Sequence, residues 1–110
     1  MNWAFGECVL DPDARLLVRQ QRPTRLQPLV MDLLIVLVEN HRRCVPKSEL
    51  QAKLWGSVRV GNASLARLVT ELRRALGDDS ANPRMVRTVH SRGYQFIAPL
   101  AASLNELQSS

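Results

Sequence analysis

The chain has 110 residues, 45% of them hydrophobic, which is enough for one domain with a single apolar core and excludes a disordered chain. Its two cysteines lack disulfide or metal-site spacing, so neither a disulfide framework nor a metal or other cofactor is predicted. Fifteen Lys and Arg against ten Asp and Glu leave a formal charge of +5, which favours a polyanionic partner.

The first 26 residues are predicted to form a small antiparallel sheet. Strands are expected at residues 5–10 and 16–18, because both segments are rich in apolar residues and Asp11-Pro12-Asp13 between them favours a turn. A third short strand is expected near residues 24–26. The sheet would therefore stand at the front of the domain.

Two helices are predicted in the middle of the chain. The segment that begins at Pro28 is apolar nearly all round up to Val38, which is typical of a core helix with proline at its first position. It contains Asp32 and is far shorter than the ~20 residues of a membrane-spanning helix, so no membrane segment is predicted. Pro46 is expected to open a second, short helix that ends at Trp55-Gly56.

A third helix, predicted over residues 62–76, is amphipathic. Its apolar stripe comprises Leu65, Leu68, Val69, Leu72 and Leu76. The opposite direction falls at Ala63, Arg67, Thr70 and Arg74. Asn62 is predicted as the N-cap, and Gly77 as the residue that ends the helix. The alternative is that this outer face is merely exposed to solvent and contacts no DNA. Glu71 would then form surface ion pairs with Arg67 and Arg74.

A hairpin is predicted after the third helix. Its strands are expected at residues 85–89 and 94–97, joined across residues 90–93. A second basic cluster is expected there, comprising Arg84, Arg87, His90 and Arg92. Eleven of the fifteen basic residues lie between positions 40 and 99, so a nucleic acid would contact this part of the chain. The folded domain is predicted to span residues 1–100, with residues 101–110 as a tail.

The order of these elements predicts a winged helix-turn-helix. The fold class is α+β, with an N-terminal antiparallel sheet, a three-helix core and a C-terminal β-hairpin wing. The major groove of DNA admits one α-helix and presents a different donor and acceptor pattern for each base pair. We therefore expect the helix at 62–76 to lie in the major groove.

Three segments of the chain resemble one known family. They are Val45-Pro46-Lys47-Ser48-Glu49-Leu50 with Leu54-Trp55, Leu72-Arg73-Arg74-Ala75-Leu76-Gly77-Asp78-Asp79, and Arg87-Thr88-Val89-His90-Ser91-Arg92-Gly93-Tyr94-Gln95-Phe96. These are similar to the OmpR/PhoB-type winged helix, the output domain of many bacterial response regulators. The resemblance implies a four-stranded N-terminal sheet, a hairpin at residues 86–97 near the minor groove, and an RNA polymerase contact in the loop at residues 56–61.

The predicted DNA-binding set combines the outer helix face with positions that the resemblance implies. It comprises Ser64, Arg67, Thr70, Glu71, Arg73, Arg74, Arg87, Thr88, His90 and Arg92. The family's groove set includes Leu68, but helical periodicity places this residue in the core. Glu71 stands where relatives often carry arginine, so a carboxylate that accepts a hydrogen bond from cytosine is expected there. Ser57 and Arg59 are the expected polymerase contacts.

The expected function is sequence-specific binding of double-stranded DNA by a cytoplasmic transcription regulator that is not an enzyme. Two copies are expected on repeated half-sites, because one small domain buries a limited DNA surface. The alternative is a winged-helix module for protein–protein interaction within a larger regulator, favoured by Glu71 and by an apolar pair expected to be exposed, Leu29-Val30. No receiver domain is expected before the sheet, which leaves a one-component regulator and a piece of a longer protein both open.

Overall fold

The computed structural model describes residues 1–102. Within this range the chain forms two compact units, one made of residues 1–26 and 98–102 and the other of residues 27–97. No helix among the described residues is both long enough and apolar enough to cross a bilayer. The antiparallel strands and the three helices confirm the predicted α+β fold class.

The first unit is a five-stranded antiparallel sheet. Its strands are β1 (Trp3–Phe5), β2 (Cys8–Asp11), β3 (Leu16–Arg19), β4 (Arg22–Thr24) and β8 (Ala101–Ala102). Their order in the sheet is β4-β3-β2-β1-β8. The predicted single strand at residues 5–10 is divided in two, because Gly6 adopts a φ of 54° and turns the chain between β1 and β2. The third strand lies at residues 22–24 rather than 24–26.

A fifth strand extends the four-stranded sheet that the resemblance implied. Ala101 and Ala102 form β8 and pair with Ala4 and Trp3 of β1. The predicted tail at residues 101–110 thus begins in a strand, and its remaining positions, 103–110, lie outside the described residues.

The second unit holds the helices and a three-stranded sheet. It comprises α1 (Pro28–Glu39), β5 (Val45–Pro46), α2 (Lys47–Trp55), α3 (Asn62–Leu76), β6 (Val86–Val89) and β7 (Gly93–Phe96). Helix α1 packs against α2, α3 and β7, and the sheet order is β5-β7-β6. The side chains that fill this core include Leu33, Leu34, Leu37, Leu50, Leu65, Leu72, Val86 and Phe96. Each large apolar side chain buried in this way contributes about 1.5–3 kcal/mol.

Two helices begin differently from the sequence predictions. The N-cap of α3 is Gly61, whereas Asn62 is the first helical residue and its Oδ1 accepts a 2.9 Å hydrogen bond from Gln51 Nε2 of α2. Pro46 is the N-cap of α2 and ends β5, because its backbone is extended.

The apolar pair Leu29-Val30 was predicted to be exposed, and this prediction was wrong. Val30 is only 2% exposed, because α1 buries this position in the core.

Candidate nucleic-acid interface

Helix α3 presents one apolar and one polar face, as its sequence predicts. The buried residues of α3 are Leu65, Val69, Leu72 and Leu76. Leu68 is half-buried at the edge of this stripe, between the core position that periodicity predicts and the groove position that the resemblance implies. The exposed residues on the other side include Ser64, Arg67, Thr70 and Arg74, and Glu71 is half-buried. The outer face of α3 is therefore a convex, positively charged ridge.

The guanidinium groups of Arg67 and Arg74 are the free cations of this ridge. Within residues 1–102 neither forms a hydrogen bond or an ion pair, and Glu71 pairs with neither of them. The surface ion pairs of Glu71 with Arg67 and Arg74, which a merely solvent-exposed face would favour, are thus not formed among the described residues. The two arginines are seven positions apart, which places their Cα atoms about 10.5 Å apart along the helix axis. Both remain available to an anionic ligand.

Two predicted site residues of α3 already have partners within the domain. The Thr70 hydroxyl donates a 3.0 Å hydrogen bond to the carbonyl oxygen of Ala66. Arg73 donates from Nε and Nη2 to the carbonyl oxygen of Val86, at 3.2 and 3.0 Å, and from Nη2 to Thr88 Oγ1 at 2.9 Å. Arg73 therefore contacts strand β6 rather than extending along the ridge.

The wing is the hairpin β6–β7, and its register decides where the predicted wing residues lie. Its turn is closed by a 2.9 Å hydrogen bond from Arg92 N to Val89 O, with Ser91 at a φ of 61°. His90 and Arg92 are both exposed at this tip. Arg92 adds a cation to the tip, so the wing carries positive charge in addition to that of α3.

Arg87 occupies the other face of the hairpin. It pairs with Gln95 across the strands, whereas its neighbour Thr88 points to the side of Arg73, because successive side chains of a strand alternate between faces. Arg87 Nη2 donates to Gln95 Oε1 at 3.1 Å, and Gln95 Nε2 donates to the carbonyl oxygen of His41 at 3.5 Å. The structure thus groups Thr88 with α3 and separates Arg87 from it.

A close backbone approach fixes β7 against β5. A Cβ atom built on Gly93 would lie 1.9 Å from the carbonyl oxygen of Val45 and 2.9 Å from Cα of Pro46. Only glycine fits there, since real Cβ atoms do not approach backbone so closely. The position of the wing strands therefore depends on the absence of a side chain at residue 93.

The structure also shows a functional candidate that the sequence analysis did not single out. The carboxylate of Asp78 accepts hydrogen bonds from the backbone N–H groups of Arg84, Met85 and Val86, at 2.8, 3.3 and 2.9 Å. Its place directly after the helix-ending Gly77 was the available signal. A residue at that position can turn back toward the segment that follows the helix.

Arg43 is a further basic residue with an internal partner. It forms a two-pronged ion pair with Glu49, with donor–acceptor distances of 3.0 and 2.5 Å, and also donates to Asn40 Oδ1. The hydrogen bonds from Arg43 hold the pKa of Glu49 below its ordinary value. Arg43 therefore joins the end of α1 to the first turn of α2.

The loop between α2 and α3 is open to solvent. Gly56 ends α2 with a φ of 63°, and the N–H of Val58 donates to Trp55 O at 3.2 Å. Ser57 and Arg59, the predicted polymerase contacts, are both exposed. Val58 between them is 64% exposed, which is unusual for a large aliphatic side chain in a small domain.

Helices α1, α2 and α3 followed by the hairpin wing define a winged helix-turn-helix DNA-binding domain of the transcription-regulator class. Residues 21–96 match the family described as "Transcriptional regulatory protein, C terminal". The chain belongs to this family, which has the OmpR/PhoB-type winged helix, as its sequence motifs predicted.

Among its relatives is the transcriptional activator CadC of Escherichia coli K12, with 29% identity over 96 residues, which cover 86% of this chain and 19% of CadC. The transcriptional regulatory protein QseB of Escherichia coli O157:H7 is 35% identical over 91 residues, which cover 81% of this chain and 39% of QseB. The chain thus spans well under half the length of these two relatives.

Two DNA-binding domains are among the solved structures that share the fold. The DNA-binding domain of E. coli CadC superposes with a TM-score of 0.78 at 26% identity, covering 93% of this chain and 96% of that domain. The Klebsiella pneumoniae RstA DNA-binding domain, solved in complex with the RstA box, has a TM-score of 0.79 at 24% identity, covering 87% and 96% of the two chains.

Proposed function

We propose that this chain binds double-stranded DNA sequence-specifically, with α3 in the major groove and the tip of the wing at the adjacent minor groove. The observation that carries the proposal is the exposed ridge of α3, on which Arg67 and Arg74 have no partner among the described residues. Arginine presents a planar fork that matches guanine edges and phosphate oxygens. The role is one of binding rather than catalysis, in the bacterial cytoplasm.

The residues proposed to contact DNA are chosen by exposure and by side-chain groups that are not used within the domain. Ser64, Arg67 and Arg74 are exposed and would face the groove beside the half-buried Glu71, and His90 and Arg92 would reach the flanking backbone or minor groove. Arg87 and Thr88 are exposed but are bonded to Gln95 and Arg73. Glu71 would select cytosine, because its carboxylate is an acceptor for the exocyclic amino group. Thr70 and Arg73 are left out of the base-reading set, since their donors are used within the domain.

The proposal is tested by selecting duplexes from a random library with the 110-residue chain and then measuring affinity for the selected duplex against salt. Arg67→Ala and Arg74→Ala should each weaken binding by about 1–3 kcal/mol if the side chain reads a base. If the side chain instead contacts a phosphate, the slope of log K against log salt should become shallower by ~0.9. Failure to select any sequence, or an affinity that does not change with salt, would overturn the proposal.

Arg59→Ala is the matched control for charge, because Arg59 is an exposed arginine outside α3 and the wing. It should leave DNA affinity within about twofold of the unchanged chain. Equal losses for Arg59→Ala and Arg67→Ala would mean that only net charge matters, which contradicts sequence-specific reading by α3.

We further propose that the loop at residues 56–61 contacts RNA polymerase through Ser57, Val58 and Arg59. The support is the exposure of all three side chains, above all that of Val58 at 64%. Val58→Ser in a full-length regulator carrying this domain should lower transcription from a target promoter without changing DNA affinity. Unchanged transcription would contradict this role of the loop.

We propose that two copies of the chain bind repeated half-sites. The support is the small size of the domain, since single modules bury only about 600–1,000 Å² on DNA and tight binding usually needs more. A footprint of the selected duplex should cover two half-sites spaced by about one helical turn. Protection of a single half-site at saturation would contradict it.

A further inference from the structure

The end of α3 contacts strand β6 through two charged side chains. Arg73, in the last turn of the helix, donates to the carbonyl oxygen of Val86 and to the hydroxyl of Thr88. Asp78, two residues after the helix, accepts from the N–H of Val86. Both backbone polar groups of Val86, the first residue of β6, are therefore held by the end of α3.

The helix end that carries these two side chains is itself well defined. Gly77 adopts a left-handed φ of 72°, and its N–H donates to Arg74 O at 3.2 Å. The N–H of Asp78 donates to Arg73 O at 2.8 Å. This is the Schellman arrangement, which fixes the chain direction at a helix C-terminus. Arg73 and Asp78 thus project from one rigid element onto β6.

The remaining bonds extend the same contact along the chain. Asp78 also accepts from the N–H groups of Arg84 and Met85, so one carboxylate satisfies three consecutive backbone donors before and at the start of β6. Hydrogen bonds to an ionised carboxylate are shorter and stronger than neutral ones. We name the side chains of Arg73 and Asp78, with these bonds, the wing clamp.

We propose that the wing clamp sets the position of the hairpin relative to α3, so that groove helix and wing tip contact DNA together. The inference rests on the proposed function and assigns Arg73 and Asp78 as positioning residues, not base-reading ones. The clamp contacts β6 at Val86 and Thr88, two to six residues before the tip residues His90 and Arg92.

Strand β7 has other anchors, because it pairs with β5, accepts at Arg92 O from Lys47 N and buries Tyr94 and Phe96. Strand β6 is the outer strand of the sheet and, among the described strands, pairs with β7 alone. Without the clamp the hairpin would stay attached through β7, while β6 and the tip would lose their fixed direction relative to α3.

Charge makes the prediction for Asp78 distinctive. Removing a negative charge near bound DNA should strengthen binding, because less repulsion opposes the phosphates. Asp78→Asn removes one carboxylate oxygen acceptor from the clamp, so we expect affinity for the selected duplex to fall by about fivefold or more, as for one lost hydrogen bond. Asp79→Asn is the matched control, since the Asp79 carboxylate accepts only from Ala81 N, at 3.0 Å, among the described bonds. That variant should bind as tightly as the unchanged chain or more tightly.

Arg73 provides the second variant. Arg73→Lys keeps the positive charge and loses the fork that reaches Val86 O and Thr88 Oγ1, so a phosphate contact would survive while a clamp would not. We expect Arg73→Lys to weaken binding, and we expect its effect to overlap with that of Arg92→Ala, because both remove the same wing contact. Combined with Arg67→Ala, its effect should simply add.

A measurement on the free chain separates this inference from the proposed function. Hydrogen exchange at the N–H groups of Arg84, Met85 and Val86 should become at least about tenfold faster in Asp78→Asn than in Asp79→Asn, with the rest of the core unchanged. If the unchanged chain binds no duplex, the proposed function fails while this exchange result still tests the clamp. Equal affinities of Asp78→Asn and Asp79→Asn, or additive effects of Arg73→Lys and Arg92→Ala, would overturn the inference although DNA binding stands.

Discussion

Replacing Gly93 by alanine should force strands β5 and β7 apart. The new Cβ would lie 1.9 Å from the carbonyl oxygen and 2.8 Å from the carbonyl carbon of Val45, and 2.9 Å from Cα of Pro46. All three atoms belong to the backbone, so no side chain can rotate away, and the strands must separate by about 1 Å or more to reach ordinary contact. That movement breaks the two-residue pairing and the 3.1 Å bond from Lys47 N to Arg92 O.

The expected cost follows from those losses. Two or three backbone hydrogen bonds at ~1 kcal/mol each, with loosened packing of the buried Val45 and Tyr94, amount to about 3–4 kcal/mol in the free energy of unfolding. Urea unfolding followed by circular dichroism measures it. Gly61→Ala is the matched control, because a Cβ there meets nothing nearer than Ala63 N at 4.0 Å, and it should cost less than about 1 kcal/mol. A Gly93→Ala chain as stable as Gly61→Ala would refute the reasoning.

Three further predictions concern single positions. Ser91 has a φ of 61°, so Ser91→Val should lower the free energy of unfolding by about 1–2 kcal/mol, whereas Ser91→Gly should not lower it. Thermal unfolding measures the difference, and a valine variant more stable than the glycine variant would contradict the strained turn. The pKa of Glu49 is lowered from 4.5 chiefly by its hydrogen bond to Arg43, so this stabilisation is present above pH 4.5 and is lost as the pH falls below it. In Glu49→Gln the free energy of unfolding should therefore fall less steeply between about pH 5 and 3 than in the unchanged chain. An equally steep fall in both chains would contradict this prediction. Burial raises the pKa of the Cys8 thiol, which is 2% exposed, so a maleimide should label Cys44 before Cys8 in the folded chain; equal rates would contradict the packing.

The hydrophobic pattern, together with the residues at helix ends, was sufficient to predict the three helices. The apolar stripe of α3 is buried at Leu65, Val69, Leu72 and Leu76, and the arginines opposite to it are exposed. Gly77 also ends α3 as predicted, since the left-handed conformation of a helix end is a property of a single residue. These features are local: each is written in a segment of a few turns, and tertiary packing only has to cover the face that the sequence already makes apolar.

Other features depended on residues far apart in the chain. The sequence could not indicate that Ala101 and Ala102 would pair with β1. Arg73 is the instructive case, because helical geometry alone makes it a candidate for the groove, whereas a carbonyl group thirteen residues later takes its donors.

The sequence by itself determined the order of the three helices and the hairpin, the core face of α3 and the excess of positive charge, because these rest on spacing and residue type. Only the tertiary structure decided which arginines are free, through the clamp of Arg73 and Asp78 on β6 and the pairing of Arg43 with Glu49. The physical reason is that a hydrogen bond of a long, flexible side chain depends on which backbone group the folded chain brings within about 3 Å.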